Sequence, residues 1–222
     1  MVKYKKRPPN DGGGGGVAGV RELFADLFIS LDGFASGINE AAYFGYFGPD
    51  LGRWIQKQLS EPQMILMGRV TYEALAGFSA KATDEVSTRM SALPKAVCSG
   101  TLQEPLVWKN TRVIKGDAAE EIKALKRQGG DPLRTIGSIR LVKSLMEQGL
   151  VDHLRLMVFP LILGQQGKEP FFAEYSRTQL ELVKNETLDE RLILLEYHGA
   201  AVASRDAHEA PMIGEVKYRV WR

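Results

Sequence analysis

The strongest constraint on this chain is a repeated local grammar, in which a short, wholly apolar run ends at a glycine and passes into a helix-forming stretch. Met64-Ile65-Leu66-Met67 leads directly into Gly68-Arg69-Val70-Thr71 and the helix-forming Tyr72 to Leu75. Four consecutive apolar residues do not suit a strand with one wet face; they suit one covered on both faces. The pattern recurs. Leu23 to Ser30, broken only by Asp26, ends at Asp32-Gly33; Ala96-Val97-Cys98 ends at Ser99-Gly100-Thr101; Arg112 to Lys115 ends at Gly116-Asp117; Leu133 to Ile136 ends at Gly137-Ser138; Leu154 to Phe159 is again apolar. Strands separated by helices of about ten residues require right-handed crossovers, hence a mainly parallel sheet with helices on both faces.

Helix boundaries follow from the same reading. Asp117 with Glu120 three residues on is a capping-box-like start for a helix over Ala118 to Gln128, which Gly129-Gly130-Asp131-Pro132 breaks. Leu141, Val142, Leu145 and Met146 lie on one face of a helix opened by Gly137-Ser138 and stopped by Gly149. Leu180 to Thr187 and Leu192 to Tyr197, joined by Leu188-Asp189-Glu190-Arg191, predict a closing antiparallel hairpin. Residues 34–49, rich in Gly, Tyr and Phe without a period, read as a loop that serves either as the wall or lid of a pocket or as a packing plug, and Leu51 to Leu59 resumes a helical pattern. The expected architecture is a three-layer α/β/α domain over residues 21–198 with a mixed, mainly parallel sheet. Residues 1–20, with Pro8-Pro9 and Gly12 to Gly16, read as a flexible tail. Residues 199–222 form an extension of unassigned role, in which the alternation Val216, Tyr218, Val220 suits a further strand here or on a partner.

Composition narrows the function classes. The 222 residues carry 29 Lys and Arg against 27 Asp and Glu, a formal charge of +2, with the cations spread along the chain. Nucleic-acid binding finds no basic stripe to support it. A single cysteine, Cys98, cannot form an internal disulfide and suits a reducing, cytoplasmic setting as a buried apolar thiol. No run approaches the ~20 apolar residues of a membrane span. His153, His198 and His208 lie far apart without paired-ligand spacing, so no metal site is expected.

In a parallel sheet all strand C-termini share one edge, so Gly68-Arg69, Ser99-Gly100-Thr101 and Gly137-Ser138 gather around one crevice. Glycine lets backbone approach a ligand, and a helix beginning there presents unpaired N–H groups, which suits phosphates. Arg69 and Arg140 add guanidinium charge at two corners, while Thr71, Ser99, Thr101 and Ser138 add neutral donors. A dinucleotide with an extra 2′-phosphate uses several such corners at once, which favours NADPH over NADH. Each corner alone has a packing explanation, and Ser138 equally suits a helix cap. The GxGxxG fingerprint and the GxxxxGK[ST] loop are absent, which argues against an ordinary Rossmann domain or a P-loop enzyme.

Met64-Ile65-Leu66-Met67-Gly68-Arg69-Val70-Thr71-Tyr72-Glu73 resembles the hydrophobic-GRxT(Y/W)E segment of the dihydrofolate-reductase-like superfamily. Leu93-Pro94-Lys95 before its strand and Ile136-Gly137-Ser138 before its helix follow that family's order. Gly149 to Leu156, Pro160 and Leu163-Gly164 resemble in particular the reductase domain of riboflavin biosynthesis, the RibD C-terminal domain, whose motif reads GLVDEL, then a strand and LG. The resemblance implies a dihydrofolate-reductase-like fold, NADPH across the strand ends and a homodimer. By position, Gly68, Arg69 and Thr71 would meet the adenosine phosphates, Ser99 and Thr101, flanking Gly100, the 2′-phosphate, and Gly137, Ser138, Ile139 and Arg140 the pyrophosphate. Ser30-Leu31-Asp32-Gly33 would border the nicotinamide. Asp50 stands near the family's acidic pterin ligand, with a helix N-cap as its competing role, and joins Tyr43 and Tyr46 as a candidate proton donor. The zinc-binding cysteines of the deaminase domain that accompanies the riboflavin branch are missing. The expected activity is hydride transfer from NADPH to a small, pterin- or pyrimidine-like substrate; the alternative is an NADPH-binding sensor without turnover.

Overall fold

The computed structural model describes residues 19–173, 175 and 178–199. The flexible tail expected over residues 1–20 falls outside them up to residue 18, and the C-terminal extension falls outside them from residue 200. Elements follow in the order β1 (Leu23–Ser30), β2 (Phe34–Gly37), α1 (Pro49–Ser60), β3 (Met64–Gly68), α2 (Arg69–Ser79), α3 (Glu85–Ala92), β4 (Lys95–Cys98) and β5 (Thr111–Ile114). There follow α4 (Ala118–Arg127), β6 (Leu133–Ile136), α5 (Ile139–Glu147), β7 (His153–Phe159), β8 (Gly167–Pro170), β9 (Glu181–Leu188) and β10 (Leu192–His198).

The main sheet has the order β5-β4-β3-β6-β1-β7-β10-β9. Every pairing from β5 to β7 is parallel, and β10 runs against both β7 and β9. This is the mixed sheet with a closing hairpin that the apolar grammar predicts. From β1 the chain steps outward to β3, β4 and β5, then returns to insert β6 between β3 and β1 before placing β7 on the far side of β1. A right-handed crossover reverses face when it reverses direction, so α1, α2 and α3 cover one face and α4 and α5 the other.

Core composition shows the two faces. Leu23, Ala25, Leu27 and Ile29 of β1 pack with Ile122, Leu125, Leu141, Val142 and Leu145 of α4 and α5. On the opposite face, Phe28 joins Leu51, Trp54 and Ile55 of α1 over Met157 and Phe159, and Ile65 and Met67 pack under Tyr72 and Ala76 of α2. The alternation of strand side chains, period two, delivers each set to its own layer.

Asp26 is the one break in the apolar β1 run, and it is buried with two guanidinium groups. Arg155 donates to it from Nε and Nη2 at 2.6 and 2.8 Å, Arg134 Nε lies 3.6 Å from its Oδ2, and Gln58 Oε1 of α1 accepts from both arginines at 2.8 and 2.9 Å. Burial lowers the Arg134 guanidinium to about 10. The Arg155 guanidinium sits 4.8 Å over Phe24 and 5.6 Å over Trp54.

The structure adds three elements that the sequence reading did not identify. β2 and β8 pair antiparallel as a small separate ribbon, with β2 cut out of the stretch 34–49 read as a loop. α3 is capped by Asp84, whose side chain accepts from Ser87 N at 2.9 Å. The four-residue β2 and β8, with glycine, serine and charge in place of an apolar run, carry no periodic signal.

Candidate functional site

The three glycine corners occupy neighbouring strand ends. β4, β3 and β6 are adjacent and parallel, so Ser99-Gly100-Thr101, Gly68-Arg69 and Gly137-Ser138 line one rim. Strands spaced ~4.8 Å apart put these corners within about 10 Å, with the end of β1 and its Ser30-Asp32 turn one strand further.

Ser138 joins two of the corners. It sits in the left-handed region (φ 61, ψ 54) after Gly137 (φ 55). Its Oγ accepts from Gly68 N at 2.9 Å, donates to Thr71 Oγ1 at 2.9 Å and lies 3.2 Å from Ile136 O. Gly137 N donates to Asp26 O at 3.3 Å, tying the loop back to β1. The cap role that residue type suggested for Ser138 is therefore corrected: its hydroxyl makes no cap bond to α5 and instead fixes the start of α2. A Cβ built at Gly68 would stand 3.7 Å from the Ser138 hydroxyl, ordinary contact, so the two turns already touch.

This leaves a distinctive distribution of helix caps. Among the described residues, α3 and α4 begin under the carboxylates of Asp84 and Asp117, the latter accepting from Ala119 N and Glu120 N. α1 begins under Asp189, which reaches in from the β9–β10 turn to accept from Asp50 N and Leu51 N at 2.7 and 3.1 Å. α2 and α5, which start at the rim, have no side-chain cap. Their first-turn amides point outward without a side-chain acceptor, the arrangement that binds phosphate oxygens.

The cationic side chains differ in readiness. Arg69, exposed at the first position of α2, pairs with Glu73 at 2.9 Å, one helical turn on. Arg140 is exposed on α5 and meets no partner among the described residues. Ile139 is buried, 7% exposed, so it offers the rim only its backbone. Ser99 Oγ accepts from Thr101 N and Leu102 N at 3.2 and 3.1 Å, which folds its turn back across the end of β4, and Gly100 and Thr101 are exposed beside it.

At the β1 end the Ser30-Asp32 turn is a junction. The Asp32 carboxylate accepts from Ser30 Oγ at 2.7 Å and from Leu163 N and Gly164 N at 3.1 and 2.8 Å, binding the turn to the loop after β7. The Ser30 hydroxyl bond, with the two amides, holds its carboxyl below the usual carboxylate range. Gly33 (φ +84) lies so close to Phe172 that an added Cβ would stand 2.6 Å from the ring.

Above β1 and β7 on the α1 face, the chain crosses the rim in a left-handed turn, Tyr43 (φ 54), Phe44 (φ 50) and Gly45 (φ 71). Phe44 goes down onto Phe159 at 5.1 Å, while Tyr43 lies 5.6 Å from Phe28 and 5.3 Å from Phe47. Of the two roles expected for this segment, the contacts of Phe44 give the packing plug. Burial raises the Tyr43 phenol; burial, then the Asp189 charge, raises that of Tyr46. Asp50, second residue of α1, is not its N-cap, which is Gly48. Its carboxylate accepts from Asp189 N at 2.8 Å and pairs with Arg53.

Among the described residues, no cluster of three His, Cys, Asp or Glu side chains could hold a metal ion, and no helix is long and apolar enough to cross a membrane. Asp189 and the aromatic floor of Phe28 and Trp54 are the components that sequence reasoning missed. The polar turn residue and the isolated aromatics gave no local sign that they converge.

Comparison with known proteins places these features in a family context. The profile of the family described as RibD C-terminal domain matches residues 21–194. The chain is 28% identical over 183 residues to the uncharacterized protein YyaP of Bacillus subtilis strain 168, a match covering 80% of this chain and 95% of that protein. The crystal structure of a putative riboflavin biosynthesis protein from Shewanella sp. PV-4 superposes with a TM-score of 0.64 at 21% identity, over 80% of this chain and 98% of that one. A pyrimidine reductase-like protein from Corynebacterium diphtheriae gives a TM-score of 0.57 at 14% identity, over 81% and 92%.

Proposed function

Because the chain belongs to the RibD C-terminal domain family, we propose that it is an NADPH-dependent reductase that delivers hydride to a small ring-containing substrate. The observation that carries this reading is the pair of uncapped helices, α2 and α5, opening side by side at the rim and stitched together by Ser138. Every other α-helix among the described residues has a carboxylate at its start. A carboxylate at either rim helix would repel a phosphate; its absence leaves both sets of amides free for one.

The donor set suits NADPH. Amides of α2 and α5 would hold the phosphates between the two nucleosides, with Arg140 beside them, and Arg69 with the hydroxyls of Ser99 and Thr101 would take the 2′-phosphate side. Gly137, at positive φ, lets the β6–α5 turn lie flat against such a group. The cofactor supplies the hydride when bound, and the protein orients it and shapes the acceptor pocket. The Asp32 junction would fix the two loops flanking the nicotinamide end. A homodimer remains part of the proposal, resting on the family alone.

The test is a titration of the purified protein with NADPH and NADH, read by tryptophan fluorescence and by thermal shift. Saturable binding with NADPH favoured supports the reading. No binding of either nucleotide at millimolar concentration would overturn it. Loss of absorbance at 340 nm with an added acceptor separates a reductase from a binding module.

A further inference from the structure

The two edges of the main sheet are finished differently. β5 has four residues, and Glu104 closes its open side by accepting from Val113 N at 2.9 Å. β9 has eight residues and forms the opposite edge, with β10 as its one strand partner among the described residues. The β9–β10 ladder is regular from Lys184 to Leu188 and shifts register only between Glu196 and Tyr197. An edge of this length presents outward N–H and C=O groups that can pair with another strand.

The sheet face beside this edge is also open. On the side of α4 and α5, Leu195 and Tyr197 pack against the large core. By register, Ile193, Leu195 and Tyr197 stand beside Thr187, Asn185 and Leu182 of β9. Cover thins toward the edge: Leu156 of β7 is 4% exposed, Ile193 of β10 46% and Leu182 of β9 49%. On the other side β9 presents Lys184 and Glu186, because successive side chains alternate between faces. A strand added here needs apolar residues on one face and charge on the other.

Residues 215–221 have that pattern: Val216, Tyr218 and Val220 alternate with Glu215, Lys217 and Arg219. They lie outside the described residues and beyond those that the family profile matches. The chain leaves β10 next to the start of β9, where His198 pairs with Glu181. Residues 200–214 reach about 50 Å when extended, against about 27 Å for the length of β9. Either strand direction is therefore within reach. A tethered strand meets the edge at an effective concentration of about millimolar, which a second copy has to supply by its own concentration. We propose that residues 215–221 add to β9 as a ninth strand of the main sheet, with Val216, Tyr218 and Val220 over the open apolar face and Lys217 and Arg219 on the side of Glu186. This assignment is independent of nucleotide binding.

Hydrogen exchange of the full chain, followed by mass spectrometry, tests it. Outward amides of an open edge exchange without protection, whereas paired ones are slowed. Peptides covering Glu181–Leu188 exchange slowly in the full chain, and Tyr218→Pro, which removes a ladder donor from the added strand, speeds their outward amides by about tenfold or more. Val220→Asp, which puts a carboxylate on the apolar face and leaves the backbone intact, acts in the same direction. Tyr218→Phe keeps the protection. Peptides covering Thr111–Ile114, the closed edge, stay unchanged in every variant, which separates release of the strand from loss of the fold. Equal β9 exchange in the full chain, Tyr218→Pro and Val220→Asp overturns the proposal. Protection that survives both variants and falls on dilution gives the edge to a second copy, and overturns it as well.

Discussion

Asp50 and Asp189, 139 residues apart, cap each other's turns: the Asp189 carboxylate accepts from the amides of Asp50 and Leu51, and the Asp50 carboxylate accepts from the amide of Asp189. This reciprocal bond ties the start of α1 to the β9–β10 hairpin, above the packed layer of Leu51, Phe159, Leu188 and Leu192. Asp189 itself holds φ 54, a left-handed conformation that Asp tolerates better than most residues. Both carboxylates thus serve architecture.

Removing that cap has a defined cost. Asp189→Ala deprives two helix-start amides of their acceptor and should destabilise the protein by about 0.5–2 kcal/mol. Denaturant unfolding should show a lower midpoint with unchanged slope. Asp189→Asn, which keeps one acceptor oxygen and the tolerance for positive φ, should lose less. Equal losses would mean that both carboxylate oxygens are required, so that one amide oxygen cannot hold the helix start.

Asp26→Ala leaves Arg134 and Arg155 buried with no carboxylate between them. Breaking a buried pair on one side costs about 3–5 kcal/mol, a large share of the stability of a domain of this size. The double variant Asp26→Ala, Arg155→Met removes one of the stranded charges and should recover part of the loss. Absence of recovery in chemical denaturation would locate the damage in packing.

Arg69→Ala should weaken NADPH by about 1.5–3 kcal/mol, the scale of a charged hydrogen bond, and NADH less. Fluorescence titration of both nucleotides reads the difference. Equal losses would assign Arg69 to the phosphates common to both nucleotides.

Gly137→Ala and Gly100→Ala separate backbone strain from ligand approach. Gly137 has φ +55, and an alanine there is strained although its Cβ would meet only Thr71 at 3.6 Å; a loss of about 1–2 kcal/mol is expected in thermal unfolding. Gly100 has no atom within 4 Å of a built Cβ and an ordinary φ. Gly100→Ala should leave stability unaltered, so that any loss of NADPH affinity in it reports a ligand at that corner.

Lys95 carries a pH signature. It is 1% exposed, donates to the carbonyls of Met90, Ser91 and Leu93 at 2.7–3.2 Å and lies 4.9 Å over Trp108. Burial, then the Lys109 charge, brings its ammonium down to about 8, below an unfolded value of about 10.4. Between these values the unfolded chain binds more protons, so the Lys95 contribution makes stability rise with pH. Cys98, raised to about 11 by burial, acts in the opposite sense once pH exceeds ~8.5, where the unfolded thiol ionises. The difference in unfolding free energy between the wild type and Lys95→Met, followed from pH 7.5 to 10.5, isolates the lysine. A flat difference would refute the assignment.

Residue order alone specified the layers and their edges. Apolar runs such as Met64 to Met67 and Leu23 to Ser30 read as covered strands by their length and turn-rich flanks, Asp117 is legible as a cap, and the glycines ending β3 and following β6 mark the rim, because each of these signals acts over a few residues through backbone geometry. Tertiary structure decided which polar atoms meet. Ser138 goes to Gly68 and Thr71 and leaves its own helix uncapped, Asp189 caps α1, Asp32 binds Leu163 and Gly164, and β2 finds β8. A hydroxyl or carboxylate accepts any nearby amide equally well, so its partner is selected by the packing of distant apolar layers, a quantity that no local stretch of sequence contains.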